Sequence, residues 1–245
     1  MRVGVYIDGF NLYYGGRSIF GRGTQGWKWL DLRNLSQRLL GRNQNWLAHG
    51  SYVSQVVYCT SRLNNKADPQ GWNYQDAYLK ALRRSKSIDL LVLGRFTNRI
   101  RKSPLATLRS NKRITHSDKR WPLEVRDGDL KRMQNAKIMA SYQTWEEKGS
   151  DVNLATHLLK DVLCNHVDAA IVITNDSDLS LPLRECRLFV PVGTVNPGAR
   201  PRAGDLQGDT CEGVGDHWWY QITKEDFLEC QLPAQIGKIY CPEKW

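Results

Sequence analysis

The residues best suited to chemistry are acids that follow apolar runs. In Ala169-Ala170-Ile171-Val172-Ile173-Thr174-Asn175-Asp176-Ser177-Asp178, the apolar part is short and rich in β-branched residues. It reads as a buried strand of a parallel sheet. Just past its end, Asp176 and Asp178 stand two residues apart, a spacing that lets both carboxylates face one crevice. Carboxylates crowded together repel one another unless a cation sits between them. The competing explanation is an Asx-type turn capping the next helix, a role that Asp and Ser favour. The chain also opens on Val3-Gly4-Val5-Tyr6-Ile7-Asp8-Gly9-Phe10-Asn11, a second apolar strand ending on an acid. Gly9 permits a tight turn after Asp8, and Asn11 is placed to cap that turn or to reach back to the site. A third acid, Asp151, follows Lys148-Gly149-Ser150. Here Ser150 suits an N-cap and Asp151 the first helical turn, where the macrodipole favours negative charge. That helix-start role competes with membership of the same site.

Three stretches carry a resemblance: Tyr6-Ile7-Asp8-Gly9-Phe10-Asn11-Leu12, Glu147-Lys148-Gly149-Ser150-Asp151-Val152 and Thr174-Asn175-Asp176-Ser177-Asp178-Leu179. In this order they resemble the NYN family of PIN-like nucleases, in its stand-alone bacterial form. The likeness continues through Gly193-Thr194-Val195-Asn196-Pro197, Cys230-Gln231-Leu232-Pro233 and Pro242-Glu243-Lys244-Trp245, so it covers most of the chain. It implies a metal-dependent ribonuclease with acids clustered at the edge of the sheet. Asp8, Asp151, Asp176 and Asp178 match the family's acidic positions, and Asn11 matches the polar partner of the first acid. Carboxylate oxygens suit Mg2+ or Mn2+, which keep waters and accept phosphate oxygens. On this expectation Asp8 and Asp176 bind metal directly. Asp178 and Asp151 hold it through water, complete a second site or orient the attacking water. Lys148 either neutralises the phosphate or is a solvated lysine ahead of the helix.

Net charge is +10, and +9 of it lies between residues 95 and 137, where thirteen Lys and Arg face four acids. A basic segment in one chain with an acidic cluster suggests RNA held by its phosphates and cut at a metal. Arg95, Arg99, Arg101, Lys102, Lys112 and Arg113 are the candidate RNA contacts there. The alternative is a solvated basic insertion with no fixed partner. Two other function classes compete. A PIN-like module that grips RNA without cutting it has no need of crowded carboxylates near phosphate. A phosphatase of small phosphoesters with Asp8 as nucleophile would want a second acid two residues on, where this chain has Phe10. The histidines show no ligand-like spacing, and there is no Gly-x-Ser-x-Gly elbow. Six cysteines without a C-x-x-C pair, and an N-terminus unlike a signal peptide, fit a reduced cytoplasm. Cys59 and Cys164 are expected to be buried. No apolar run approaches the ~18 residues needed to span a bilayer. A second copy of the chain, or an inhibitory protein partner, is left open.

Positioning these acids calls for an open α/β sheet with its site at the strands' carboxyl ends, where strand order reverses. One domain over 1–245 is expected: three layers, doubly wound, PIN-like, a mostly parallel sheet with helices on both faces. A basic insertion at 95–137 and a Gly/Pro-rich loop at 197–216 interrupt it, and Arg200 and Arg202 in that loop are placed to touch substrate. The resemblance makes the Asp8 and Asp176 strands neighbours. Further strands are expected at 53–60, 89–94 and 189–195, with extended chain at 138–145. Helices are expected at 31–40, 74–86, 151–164, 178–186 and 224–229. In the third of these Val152, Ala155, Leu159, Val162 and Leu163 form the expected core stripe. Residues 64–71 read as a polar loop, and the glycines at 15, 16, 21 and 23 lack the Lys and Ser/Thr of a phosphate loop.

Overall fold

The computed structural model describes residues 1–104, 106–108, 114–116, 126, 128–131, 139–243 and 245. Lys112 and Arg113, two of the expected RNA contacts, lie outside the described residues. The chain divides into two compact units, Met1–Phe96 with Glu147–Trp245, and Thr97–Glu146. In order, the elements are β1 (Arg2–Asp8), α1 (Gly9–Phe20), α2 (Leu32–Leu40), α3 (Gln44–Ala48), β2 (Tyr52–Ser61), α4 (Pro69–Arg84) and β3 (Leu90–Pro104). Then come β4 (Ala106–Leu108), β5 (Ile114–His116), β6 (Met139–Lys148), α5 (Ser150–Leu163), β7 (Ala169–Ile173), α6 (Ser180–Arg187) and β8 (Val192–Asn196). The chain closes with β9 (Trp218–Gln221), α7 (Lys224–Glu229), β10 (Gln235–Ile236) and β11 (Ile239–Tyr240).

The fold is α/β, with a seven-stranded sheet in the order β6-β3-β2-β1-β7-β8-β9. The pairings β1–β2, β1–β7, β2–β3, β7–β8 and β8–β9 are all parallel. From β1 the chain builds outward through β2 and β3, then returns to the other side of β1 with β7 and builds outward again. The boundary between β1 and β7 is therefore the switch point, where such sheets open a crevice. Side chains alternate along both central strands. Val3, Val5, Ile7, Ile171 and Ile173 pack into one core with α1, α2, α4 and α7. Tyr6, Ala170 and Val172 pack into the other with α5 and α6. Three layers result, and Asp8 continues the α5 face. In the unit Thr97–Glu146, β4 and β5 pair antiparallel. Among the described residues no helix is long and apolar enough to cross a membrane.

Several elements differ from the sequence expectation. The α4 helix starts at Pro69 rather than 74: Asp68 caps it by accepting from the Gly71 N–H, and Pro69 takes the first turn, where its missing N–H costs nothing. The α5 core stripe is Leu154, Leu158 and Val162, while Val152 is 68% exposed and Leu163 56% exposed. Of the expected stripe, Val162 is buried and Ala155 and Leu159 pack partly buried against the same core, so only its two ends, Val152 and Leu163, turn away from the sheet. The N-cap of this helix is Gly149, and Ser150 is its first residue rather than its cap. The β8 strand begins at Val192, leaving Phe189 exposed, and β9 falls just beyond the expected glycine-rich loop. Cys164 is exposed, whereas Cys59 is buried as expected. Helix α1 runs through Gly15 and Gly16, positions where a side chain would collide with a neighbour. A Cβ on Gly15 would lie 2.5 Å from the Pro197 carbonyl oxygen, and one on Gly16 would enter the Trp27 ring.

Candidate metal centre

Three elements deliver one carboxylate each to the switch point. Asp8 is the last residue of β1 and caps α1, its Oδ1 accepting the Asn11 N–H at 3.0 Å. Asp8 Oδ2 accepts the Asn11 side-chain amide at 2.7 Å and the Thr174 hydroxyl at 3.2 Å. A carboxylate has about four lone-pair sites, so one remains for a cation. Asp176 follows β7; its N–H donates to the Thr174 hydroxyl at 3.1 Å, and its Oδ1 accepts the Asp178 N–H at 3.0 Å. Asn11 ties the two strand ends together, since its Oδ1 accepts the Asn175 N–H at 3.2 Å.

Asp151 arrives from the first turn of α5. Gly149 has φ +97°, a conformation that suits glycine, and it turns β6 sharply into the helix. The Ser150 hydroxyl then donates to Glu147 Oε1 at 2.6 Å, the Ser150 N–H reaches the same oxygen at 3.2 Å, and the Ser61 hydroxyl adds a third bond at 2.7 Å. Burying Leu154, Leu158 and Val162, each 2% exposed or less, stabilises by roughly 1.5–3 kcal/mol per side chain. That anchorage holds Asp151 against the repulsion it meets.

Asp8, Asp151 and Asp176 offer carboxylate oxygens that all lie within 4.8 Å of one another, and together they could hold a metal ion. Burial raises the Asp8 carboxyl above its ordinary value; the Asn11 and Thr174 bonds oppose the rise and the Asp176 charge adds to it. The Asp151 carboxyl is pushed up to about 6, first by burial and then by the charges of Asp8, Asp176, Glu147 and Asp178. Among the described residues Asp151 accepts no hydrogen bond. A half-buried carboxylate with no donor, facing two others, has the electrostatic signature of a cation site. An all-carboxylate oxygen donor set suits a hard divalent ion.

Of the expected site residues, Asn11 holds Asp8 in place. Asp178 is exposed and stands outside the group of three, although its charge still raises Asp151. Lys148 and Arg95 are exposed, at the end of β6 and on β3. Arg99, Arg101 and Lys102 are exposed in the unit Thr97–Glu146, where Arg101 is ion-paired with Glu146. The Arg202 guanidinium lies 4.4 Å from the Trp219 ring centroid. Arg200 lines an open cavity of about 690 Å³ with Arg17, Arg22, Asn11 and Asn175. Sequence reasoning missed Thr174, Asn175 and Glu147 as supports, and Arg17 and Arg22 as charges near Asn11. A hydroxyl at the very end of a buried strand was the available signal for Thr174. Gly21, Gly23 and Gly26 have dinucleotide-motif spacing, but the run follows α1 rather than a strand, so it lacks the setting that makes a pyrophosphate cradle.

No family model matches the chain. A curated protein named 6-hydroxy-3-succinoylpyridine 3-monooxygenase, from Pseudomonas putida, is 27% identical over 271 aligned positions, spanning all of this chain and 75% of the relative. A crystal structure of a protein of unknown function from Vibrio parahaemolyticus matches with a TM-score of 0.46 and 14% identity, covering 91% of this chain and 94% of the other.

Proposed function

We propose that the chain is an NYN-type, PIN-like ribonuclease that hydrolyses RNA phosphodiester bonds with Mg2+ or Mn2+ at Asp8, Asp151 and Asp176. The observation that carries this reading is the convergence of three carboxylates within 4.8 Å at the switch point. A divalent ion bound there would acidify a water and stabilise charge on the scissile phosphate. Asp8, fixed by Asn11 and Thr174, supplies a donor of set orientation. Asp176 and Asp151 close the donor set from the opposite strand and from α5. Asp178, exposed beside them, orients the attacking water. Lys148, Arg17, Arg22 and Arg200 supply positive charge for the polyanion, and the unit Thr97–Glu146 carries further exposed bases of its own in Arg99 and Lys102.

A second reading is hydroxylation of a pyridine-type ring, and the 27% identity across the whole chain favours it. The two separate in one experiment. Structured and unstructured RNA are incubated with the protein in Mg2+, Mn2+ or EDTA, beside Asp8→Asn. Expected are metal-dependent cleavage, none in EDTA, and a loss of ~10²-fold or more in the variant. A hydroxylated pyridine, consumed with oxygen and a two-electron reductant in place of RNA cleavage, would overturn the ribonuclease assignment.

A further inference from the structure

A second feature of α1 lies outside the metal centre, at the edge of the apolar core. Within the unit Met1–Phe96 with Glu147–Trp245, a cavity of about 310 Å³ opens against α1, beginning at Gly9, the residue after Asp8. Its walls are aromatic: Phe10, Tyr13, Tyr14, Trp27, Tyr58 and Trp245. Trp27 and Tyr58 are core residues, but Tyr13 is 40% exposed and Tyr14 56% exposed, large rings left in solvent at the edge of a cavity. Arg17 and Lys28 also line it, and neither has an ion-pair partner among the described residues. The Arg17 guanidinium lies 5.8 Å from the Tyr14 ring centroid and the Lys28 ammonium 5.7 Å from that of Trp27. Burial, and then the Arg17 charge, lower the Lys28 pKa. Asp68 also lines the cavity, where its Oδ1 caps α4 by accepting the Gly71 N–H; two cations against this one carboxylate leave a net positive charge for an anion.

We propose that this cavity is a subsite for a single planar aromatic ring carrying an anionic group, supplied by a nucleotide of the RNA, a source that rests on the ribonuclease reading. The volume lies at the small end of ligand pockets and holds one ring, not a folded segment. Every base presents a π face, so aromatic walls take a base without regard to its identity. The cations account for selection of an anion over a neutral ring. Tyr14 and Arg17 also line the open cavity that contains Arg22 and Arg200. A nucleotide whose base fills the first cavity therefore has its phosphate at Arg17, and the neighbouring phosphates continue over Arg22 and Arg200. That path passes Asn11 and Asn175, which support the Asp8 and Asp176 strand ends.

Calorimetry on the full chain in EDTA tests the subsite apart from catalysis. The probes are 5′-AMP, 5′-UMP, nicotinate, adenosine and inorganic phosphate. Expected is saturable binding of the ring anions, with adenosine and phosphate weaker by about tenfold or more. Arg17→Gln with Lys28→Gln, and separately Leu63→Trp, which enlarges another lining residue to fill the cavity, should each weaken ring-anion binding about tenfold. Nucleotides tighter than nicotinate support RNA as the source; the reverse order keeps the subsite and makes its source a free aromatic acid. No binding of any ring anion, or unchanged affinity in both variants, overturns the proposal. RNA cleavage in Mn2+ without ring-anion binding overturns the subsite alone, whereas ring-anion binding without cleavage overturns the ribonuclease reading alone.

Discussion

At Asp151 two roles compete, and their magnitudes separate them. A charge in the first turn of a helix stabilises by only ~0.3–1 kcal/mol. The rise of its carboxyl from 3.8 to about 6 corresponds to ~3 kcal/mol at 1.36 kcal/mol per pKa unit. The half-exposed setting of this side chain cuts that to on the order of 1 kcal/mol. A carboxyl that holds its proton more tightly in the fold favours folding in full below its unfolded value near 3.8, and that contribution is lost as pH rises through about 6. Asp8, raised in the same direction, adds to the loss. In EDTA, then, Asp151→Asn should raise the melting temperature at pH 7.5 and leave it nearly unchanged at pH 4. In Mn2+ the order should reverse, because the wild type gains a bound ligand that the variant holds weakly. RNA cleavage should fall at least ~10-fold. Thermal melts at the two pH values, with Mn2+ calorimetry, check this. Equal metal affinity and parallel melts would reduce Asp151 to a helix-start residue.

Among the elements, α1 has the most demanding sequence, since it caps on Asp8 and packs its three glycines, Gly9, Gly15 and Gly16, against neighbours. Propensity alone favours Gly16→Ala by ~1 kcal/mol. The added Cβ, however, would enter the rings of Trp27 and Phe227, which are 2% and 0% exposed and cannot swing away. Overpacking of this kind costs about 1–3 kcal/mol, so Gly16→Ala should destabilise, read as a lower urea midpoint with an unchanged slope. A raised midpoint would mean that the Trp27 loop yields readily. The same contacts explain what the sequence did and did not disclose. Asp8 and Asp176 were legible because each closes an apolar run, and Asp151 because it opens a helix; all are local signals. Thr174, Asn175 and the span of α1 were not, because they depend on β1 pairing with β7 and on Trp27 and Pro197 meeting glycine. The α5 stripe was legible at Ala155, Leu159 and Val162 but not at its ends: Val152 and Leu154 both lie on helical repeats, and only the sheet decides which is buried. The start of α4 is legible in Asp68-Pro69, a cap followed by a first-turn proline, although the same pair also suits a loop.

For the molecule as a whole, +9 of the net charge of +10 lies between residues 95 and 137. The ribonuclease proposed above would bind a polyanion, and the strength of such a grip is read from its salt dependence. Each phosphate contact on a single strand contributes about 0.7 to the slope of log K against log salt. Arg99 and Lys102 are exposed and have no ion pair among the described residues, whereas Arg101 is held by Glu146. Part of the Arg101 charge is thus already met inside the unit Thr97–Glu146. Lys102→Glu and Arg99→Glu should each weaken RNA binding and flatten the slope by about 0.7. Arg101→Glu should flatten it less while also repelling Glu146, a cost that appears in the melting temperature rather than in the slope. Filter binding of a labelled RNA from 50 to 300 mM salt, in EDTA to prevent cleavage, gives the slopes. If all three reversals leave the slope unchanged, the segment is a solvated basic surface, and the phosphates are held at Arg17, Arg22 and Arg200 instead.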